Sequence, residues 1–412
     1  MLVCALSALL MASLFASFGY EATWRLWNIP TLTLPFGDLR VITGGAESRR
    51  QGFDPMIENP GDPWGRPLNY PRIWQSFYRV GLTPEHTTFI GFAFIALFLT
   101  GICLILPNAS WTIIALVIAA LLSPATLLGM ERGNIDLLMF FIVSIAVFAA
   151  NRWPAFSAIA VFGGFALKLY PLFAGAVLLR NSRSLFFRLI VVLFVAVSLY
   201  VILTYSDFAL IRAATQNGIV FSYGMNVFPA SLRTGNSQAK LLSYLVVLLS
   251  LFFGLTALRR RDNQVEEQKG QIYLDAFRAG AAIYIGTFLL GSNWDYRLIF
   301  LILTIPQLAV WVKAPARHAS VISILVMSAM LLSMWYLKIA WYIGGLTFAD
   351  QPVCFLLDQI YKWVAVAGLV YLFFWSLPAW VKEFVLAVGS KLRNRTLRPF
   401  RRGEIGQGGK NH

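Results

Sequence analysis

The chain has 412 residues, of which 58% are hydrophobic and only 13% charged, with a mean hydropathy of +0.67. Soluble domains carry about 25% charged residues, so the polar surface here cannot cover a water-soluble globule; a soluble enzyme, a coiled coil, a disordered chain and a secreted disulfide scaffold are excluded. The net charge of +15 sits between apolar runs and at the C-terminus, which fits membrane orientation and anionic lipid rather than nucleic acid. The expected fold class is an all-α polytopic integral membrane protein.

About 20 apolar residues cross a bilayer. Ten crossings are expected, near 2–20, 87–106, 111–129, 134–150, 184–204, 240–258, 274–290, 297–312, 319–337 and 353–376. The first run lacks a basic n-region and is followed by Trp24 and Trp27 instead of a small-residue cleavage site, so it reads as a signal anchor. Residues 21–86 form a first outer loop. Its middle, from Gly52-Phe53-Asp54-Pro55 to Gly61-Asp62-Pro63-Trp64-Gly65, is turn chemistry. Two short helices flank it, one beginning near Asp38 and one at Pro71. The second carries Ile73, Trp74 and Phe77 on one side and suits the membrane interface.

Segment 154–179 decides the topology. It holds Gly163-Gly164 and then Lys168-Leu169-Tyr170-Pro171 inside an apolar run. A full crossing would put Arg180, Arg183 and Arg188 opposite Arg152. If the segment enters and returns, these residues share one side with Arg259–Arg261, Lys313, Arg317 and the basic tail, as the positive-inside rule prefers. A re-entrant hairpin is therefore expected, broken where Pro171 removes a backbone donor. Both termini are then cytoplasmic. The outer side receives residues 21–86, Glu131-Arg132-Gly133-Asn134, an irregular 205–239, Asn293–Arg297 and a piece near 338–352. Residues 1–380 make one transmembrane domain. Residues 381–412, with Lys391, Arg393, Arg395, Arg398, Arg401 and Arg402, read as a disordered arm attracted to anionic lipid.

Cys4, Cys103 and Cys354 have no metal or disulfide spacing and read as core residues. His86, His318 and His412 are too scattered for a triad or a histidine metal site. The remaining chemistry lies at the outer end. Lys168, a charge at membrane depth, is a functional candidate able to meet a lipid phosphate, or it pairs with Asp136 or Glu131. Arg132 and Asn134 open a helix whose free amides favour anionic oxygen. Asp136 falls in that helix's first turn, where the dipole favours a carboxylate in any case. Asp38 is either a general base for an acceptor hydroxyl or a helix N-cap. Tyr70, Tyr223 and the run Asn293-Trp294-Asp295-Tyr296-Arg297 offer rings and polar groups suited to sugars and equally to an interface.

The run Gly133-Asn134-Ile135-Asp136, then Asn151-Arg152-Trp153-Pro154, then Ala166-Leu167-Lys168-Leu169-Tyr170-Pro171 and Arg180 resembles family 87 of the glycosyltransferases, in the GT-C superfamily. The first loop is similar too, with Asp38 after the first crossing, Gly52-Phe53-Asp54-Pro55 and Asn69-Tyr70-Pro71. The resemblance covers roughly the first 240 residues. It implies a GT-C transmembrane core in a bacterial-type inner membrane, with an outward-facing site and Asp38 as the catalytic acid of the first loop. The implied chemistry is an inverting transfer of mannose or a related sugar from a polyprenyl phosphate to a glycolipid or glycan, without cofactor or metal. Acid pairs that bind metal in other GT-C families have no counterpart at Asp38. On this reading Lys168, Arg132 and Arg297 meet the donor phosphate. Asn134, Asp136, Tyr70, Tyr170, Tyr223, Asn293 and Asp295 meet sugar or acceptor. A glycolipid flippase and an O-antigen polymerase or ligase are the competing readings.

Overall fold

The structure, a computed structural model, describes residues 2–215, 218–232, 237–260, 271–343 and 352–396. Among these the fold is helical. One short antiparallel pair, Ser222 opposite Trp294 and Tyr223 opposite Asn293, is the only sheet among the described residues. Among the described residues, seven helices are long and apolar enough to cross a membrane: Pro84–Ile105, Arg183–Leu203, Ser237–Ala257, Ile272–Leu289, Asp295–Val312, Arg317–Met334 and Val353–Trp375. Trp111–Leu121 and Pro124–Arg132, bent by 55°, make an eighth if they form one span. This is the architecture of an all-α, multi-pass membrane protein. Ile272–Leu289 and Asp295–Val312 are the buried centre, packing Phe277, Phe288, Phe300 and Trp311. Arg183–Leu203 lies outermost and leaves Phe194, Ile202 and Leu203 exposed, as suits a lipid-facing helix.

Of the ten expected crossings, seven, or eight with the bent pair, are long apolar helices among the described residues. The run at 134–150 shortens to Asp136–Ala149, 14 residues, because the chain before it is spent on an unwound Gly-Asn turn. The run at 111–129 is not straight. Ser123 caps a new helix through a 3.4 Å bond from Thr126 N, and Pro124 takes its first position, where a missing N–H costs nothing. The first run is a helix over Leu2–Phe18.

Segment 154–179 doubles back. Helix Pro154–Leu167 ends at Lys168, whose backbone is extended (φ −162°, ψ 118°), and a 3-10 helix returns over Tyr170–Arg180. The two ends meet where Arg180 Nη2 donates to Asn151 Oδ1 at 2.8 Å. The break is at Lys168, not at Pro171. That proline sits in the first turn of the returning leg and packs on Gly164, where an added Cβ would lie 2.9 Å from the Pro171 Cβ.

The first loop, residues 21–86, folds onto the tip of this hairpin. Its helices are Tyr20–Arg25, Gly37–Arg50 and Arg72–Val80. Trp74 Nε1 donates to the Leu167 carbonyl at 3.0 Å, satisfying an open helix-end acceptor. Arg72 bridges Asp54 and Asp207, each at 3.0 Å, and so ties the loop to helix Tyr205–Ala214. Hence 205–239 is not wholly irregular: it contains this helix and the short Val227–Ser231. The C-terminal arm is also helical where described, from Ala379 to Thr396. Arg398, Arg401 and Arg402 lie outside the described residues, as do 344–351 of the piece expected near 338–352.

Candidate active site

The site begins with a glycine. Gly133 ends helix Pro124–Arg132 in a left-handed conformation (φ 58°), the usual geometry for that position. A Cβ there would lie 2.8 Å from the Phe36 Cβ, so only glycine lets the first loop approach this closely. Phe36, itself left-handed (φ 57°), donates its N–H to the Glu131 carbonyl at 3.1 Å and starts helix Gly37–Arg50. Asp38 therefore sits in the first turn. It is not the N-cap, since Phe36 holds that place, and its side chain is turned to Asn134. Asn134 Nδ2 donates to Asp38 Oδ2 at 2.6 Å.

Asn134 is fully buried and works in both directions. Its Oδ1 accepts from Asp136 N at 2.9 Å and from Lys168 Nζ at 3.4 Å. Behind it, Asp136 collects three partners: the Lys168 ammonium, the Tyr170 hydroxyl at 2.6 Å and Arg297 Nε at 3.2 Å. Arg297 stacks over the Tyr170 ring at 4.4 Å and also bonds the Asn293 side chain. Lys168 stands 5.1 Å from the Tyr70 ring. Cation, ring and carboxylate thus brace one another.

These groups face a cavity of about 810 Å³ lined by Asp38, Arg66, Tyr70, Arg132, Lys168, Tyr170, Tyr296 and Arg297, with an apolar side formed by Ile211, Ile219, Val220, Phe221 and Leu290. One pattern repeats around it. Each lining cation is held from behind by an acid whose side chain is at most 1% exposed: Arg66 by Asp62, Arg132 by Glu131, and both Lys168 and Arg297 by Asp136. Such pairs fix a cation in place before a ligand arrives. Asp38 is the one acid on the wall among the described residues. Burial raises its carboxyl above the ordinary value, opposed by the Asn134 bond and by the charges of Arg132, Arg66 and Lys168. Burial, with Asp38 and Asp136 nearby, also pushes the Tyr70 phenol well up, so it remains a hydrogen-bond donor.

The sequence expectations divide here. Asp38, Arg132, Lys168, Arg297, Tyr70 and Tyr170 share the wall, while Asn134, Asp136 and Asn293 stand behind it as supports. Tyr223 does not reach the cavity; it is fully buried, bonds Thr287 at 2.8 Å and stacks on Tyr284. Asp295 also turns away, to a buried Lys362 at 2.9 Å that pairs in addition with Asp358 at 2.6 Å. Arg66 is a wall residue that the sequence pattern does not single out. Asp62 serves turn chemistry, accepting from Trp64 N at 3.1 Å and Arg66 N at 2.9 Å, but it also clamps the Arg66 guanidinium through two bonds. The four-residue interval from Asp62 to Arg66 was the available signal.

Among the described residues no three His, Cys, Asp or Glu side chains come together as metal ligands do. Compared with known proteins, the chain matches no family model, and no curated protein matches it in sequence.

Proposed function

We propose that the protein is an inverting glycosyltransferase that moves a sugar, mannose or a related hexose or pentose, from a polyprenyl-phosphate donor to a glycolipid or glycan acceptor. The site would face outward from a bacterial inner membrane, within a GT-C-type core. The observation that carries this reading is one wall carboxylate, Asp38, the only one among the described residues, in the same cavity as four cations pinned from behind. One group is able to take a proton and several are able to receive a phosphate.

The chemistry balances with these residues. Asp38 accepts the proton of the acceptor hydroxyl as its oxygen bonds to the anomeric carbon; the bond from that carbon to the phosphate oxygen breaks, and polyprenyl phosphate leaves with the electron pair. The departing phosphate needs no acid, only positive charge. Lys168 and Arg297, braced together by Asp136, would supply it. Tyr70, Tyr170 and Tyr296 offer ring faces and hydroxyls to the sugar, and the apolar side of the cavity suits the first isoprene units.

The test is incubation of the full chain in nanodiscs with labelled polyprenyl-phosphate mannose and a glycolipid panel. A new labelled glycolipid is expected, absent with Asp38→Asn. Passage of intact donor between leaflets without a new glycosidic bond would establish the flippase reading instead. Use of a diphosphate-linked glycan alone would establish the polymerase or ligase reading.

A further inference from the structure

The cavity wall offers more guanidinium and ammonium groups than a sugar donor uses, each paired with a buried acid, so what they present to a ligand is placed donor atoms rather than surplus charge. Its charged residues are Asp38 against Arg66, Arg132, Lys168 and Arg297. A sugar phosphodiester brings one negative charge. Lys168 and Arg297 form one unit, joined through Asp136 and Tyr170. Arg66 and Arg132 are not part of that unit, although Lys168 also acts on Asp38. They are held by Asp62 and Glu131, and both bear on Asp38.

Each of these two arginines keeps donor capacity. Arg66 commits Nε and Nη2 to Asp62 and the Gly37 carbonyl, while its Nη1 stands 3.9 Å from Asp38 Oδ1, beyond hydrogen-bond length. Arg132 gives Nη2 to the Pro30 carbonyl at 3.0 Å. Its Nη1 lies 3.0 Å from Glu131 Oε2, yet neither atom has an aligned hydrogen bond, though both are buried. Guanidinium groups beside a general base weaken it by favouring its ionised form. An anion seated on them reverses that effect when the acceptor binds.

We infer that the acceptor is anionic: Arg66 and Arg132 form a subsite for an oxyanion, phosphate or carboxylate, next to the hydroxyl that Asp38 deprotonates. This rests on the transferase reading for the word acceptor, and on geometry alone for the anion. Arginine forks suit phosphate and carboxylate equally in planar, two-point contact.

Binding tests it without turnover. The full chain in nanodiscs of neutral lipid is titrated calorimetrically with octyl mannoside, octyl mannoside 6-phosphate and octyl glucuronide. At least one charged glycoside should bind about tenfold more tightly than the neutral one, a typical charge-assisted contact of ~1.4 kcal/mol. The tighter of the two charged probes identifies phosphate or carboxylate as the acceptor's group. Arg66→Gln and Arg132→Gln should each erase most of that preference, and a retained cooperative thermal transition in detergent shows that the variant is folded. Equal binding of all three probes overturns the inference, as does a preference that survives in both variants. A charge preference in a chain that never cleaves the donor refutes the transferase reading alone and leaves an anion-selective glycan site.

Discussion

Asn134 Nδ2 donates to Asp38 Oδ2 at 2.6 Å, joining side chains 96 positions apart in the chain. The bond leaves Asp38 Oδ1 as the oxygen turned toward Arg66, and it selects one rotamer of the carboxylate. Asp38→Asn removes the proposed base without changing volume. Transfer should fall by about 10²- to 10⁴-fold, the usual worth of general base catalysis, with the unfolding temperature unchanged. Asn134→Ala should cost less activity but more stability, because Asp136 N and Lys168 lose a buried acceptor as well.

The pH profile follows from the environment of Asp38. Its carboxyl is raised by burial and lowered by Asn134, Arg132, Arg66 and Lys168, the net direction being up. The proposed base works in its ionised form, so on that reading kcat/KM should rise with pH through an inflection above the ordinary aspartate value. Removing a neighbouring cation removes a force that favours ionisation. Arg66→Gln should therefore move the inflection to higher pH, by up to about one unit. A shift downward would mean that Asp38 is not the titrating group.

Gly133→Ala tests how the first loop reaches the bundle. The substitution meets both a left-handed backbone (φ 58°) and the Phe36 side chain. A destabilisation of ~1–3 kcal/mol is expected from the backbone conformation alone, read as a lower thermal midpoint in detergent. Activity should fall further than at a neutral site of equal stability, since Phe36 and Asp38 shift together.

Lys362 predicts a stability effect of a different kind. Its ammonium is fully buried between Asp295, Asp358 and the Ser222 carbonyl at 3.0 Å. Lys362→Met strands two buried carboxylates, which costs ~3–5 kcal/mol in comparable broken pairs. Adding Asp295→Asn and Asp358→Asn should restore much of the loss, because neutral amides need no counter-charge. Denaturant unfolding in mixed micelles of the single and triple variants measures the difference.

The doubling back of 154–179 predicts a labelling pattern. Arg152 and Ser182 are exposed near the joined ends of the hairpin, and Glu58 is exposed in the first loop. Cysteines at 152 and 182, in a background without the three native ones, should react with an impermeant reagent from the same side of the membrane. A cysteine at 58 should react from the other side. Opposite labelling of 152 and 182 would remove the hairpin topology and the outward-facing pocket with it.

Local chemistry explains what could be foreseen. Hydropathy identifies a membrane protein because apolar surface of this extent has no aqueous solution. Charge bias and the break around Lys168 point to a segment that returns, since a full crossing would scatter arginines on both sides. Asp-Pro and Gly-Asn spellings mark turns, because those residue types favour them in any fold. Asp38, Lys168, Arg132 and Arg297 stand out for a related reason: a charge near the membrane needs a partner or a task.

Which partner is a long-range matter. Asp295 and Arg297 are two residues apart and equally plausible as site residues, yet the short strand pair and the following 3-10 helix send Arg297 to Asp136 and Asp295 to Lys362, 67 positions farther on. Tyr223 and Tyr170 carry the same ring; one lines the cavity and the other is sealed against Tyr284. Arg66 joined the wall only because Gly133 let the first loop sit close to Asn134. Composition and short-range pattern govern solvation and turn formation, which are nearest-neighbour effects. The choice of side chains that meet across a bundle depends on where every other helix packs, and that is a property of the folded chain as a whole.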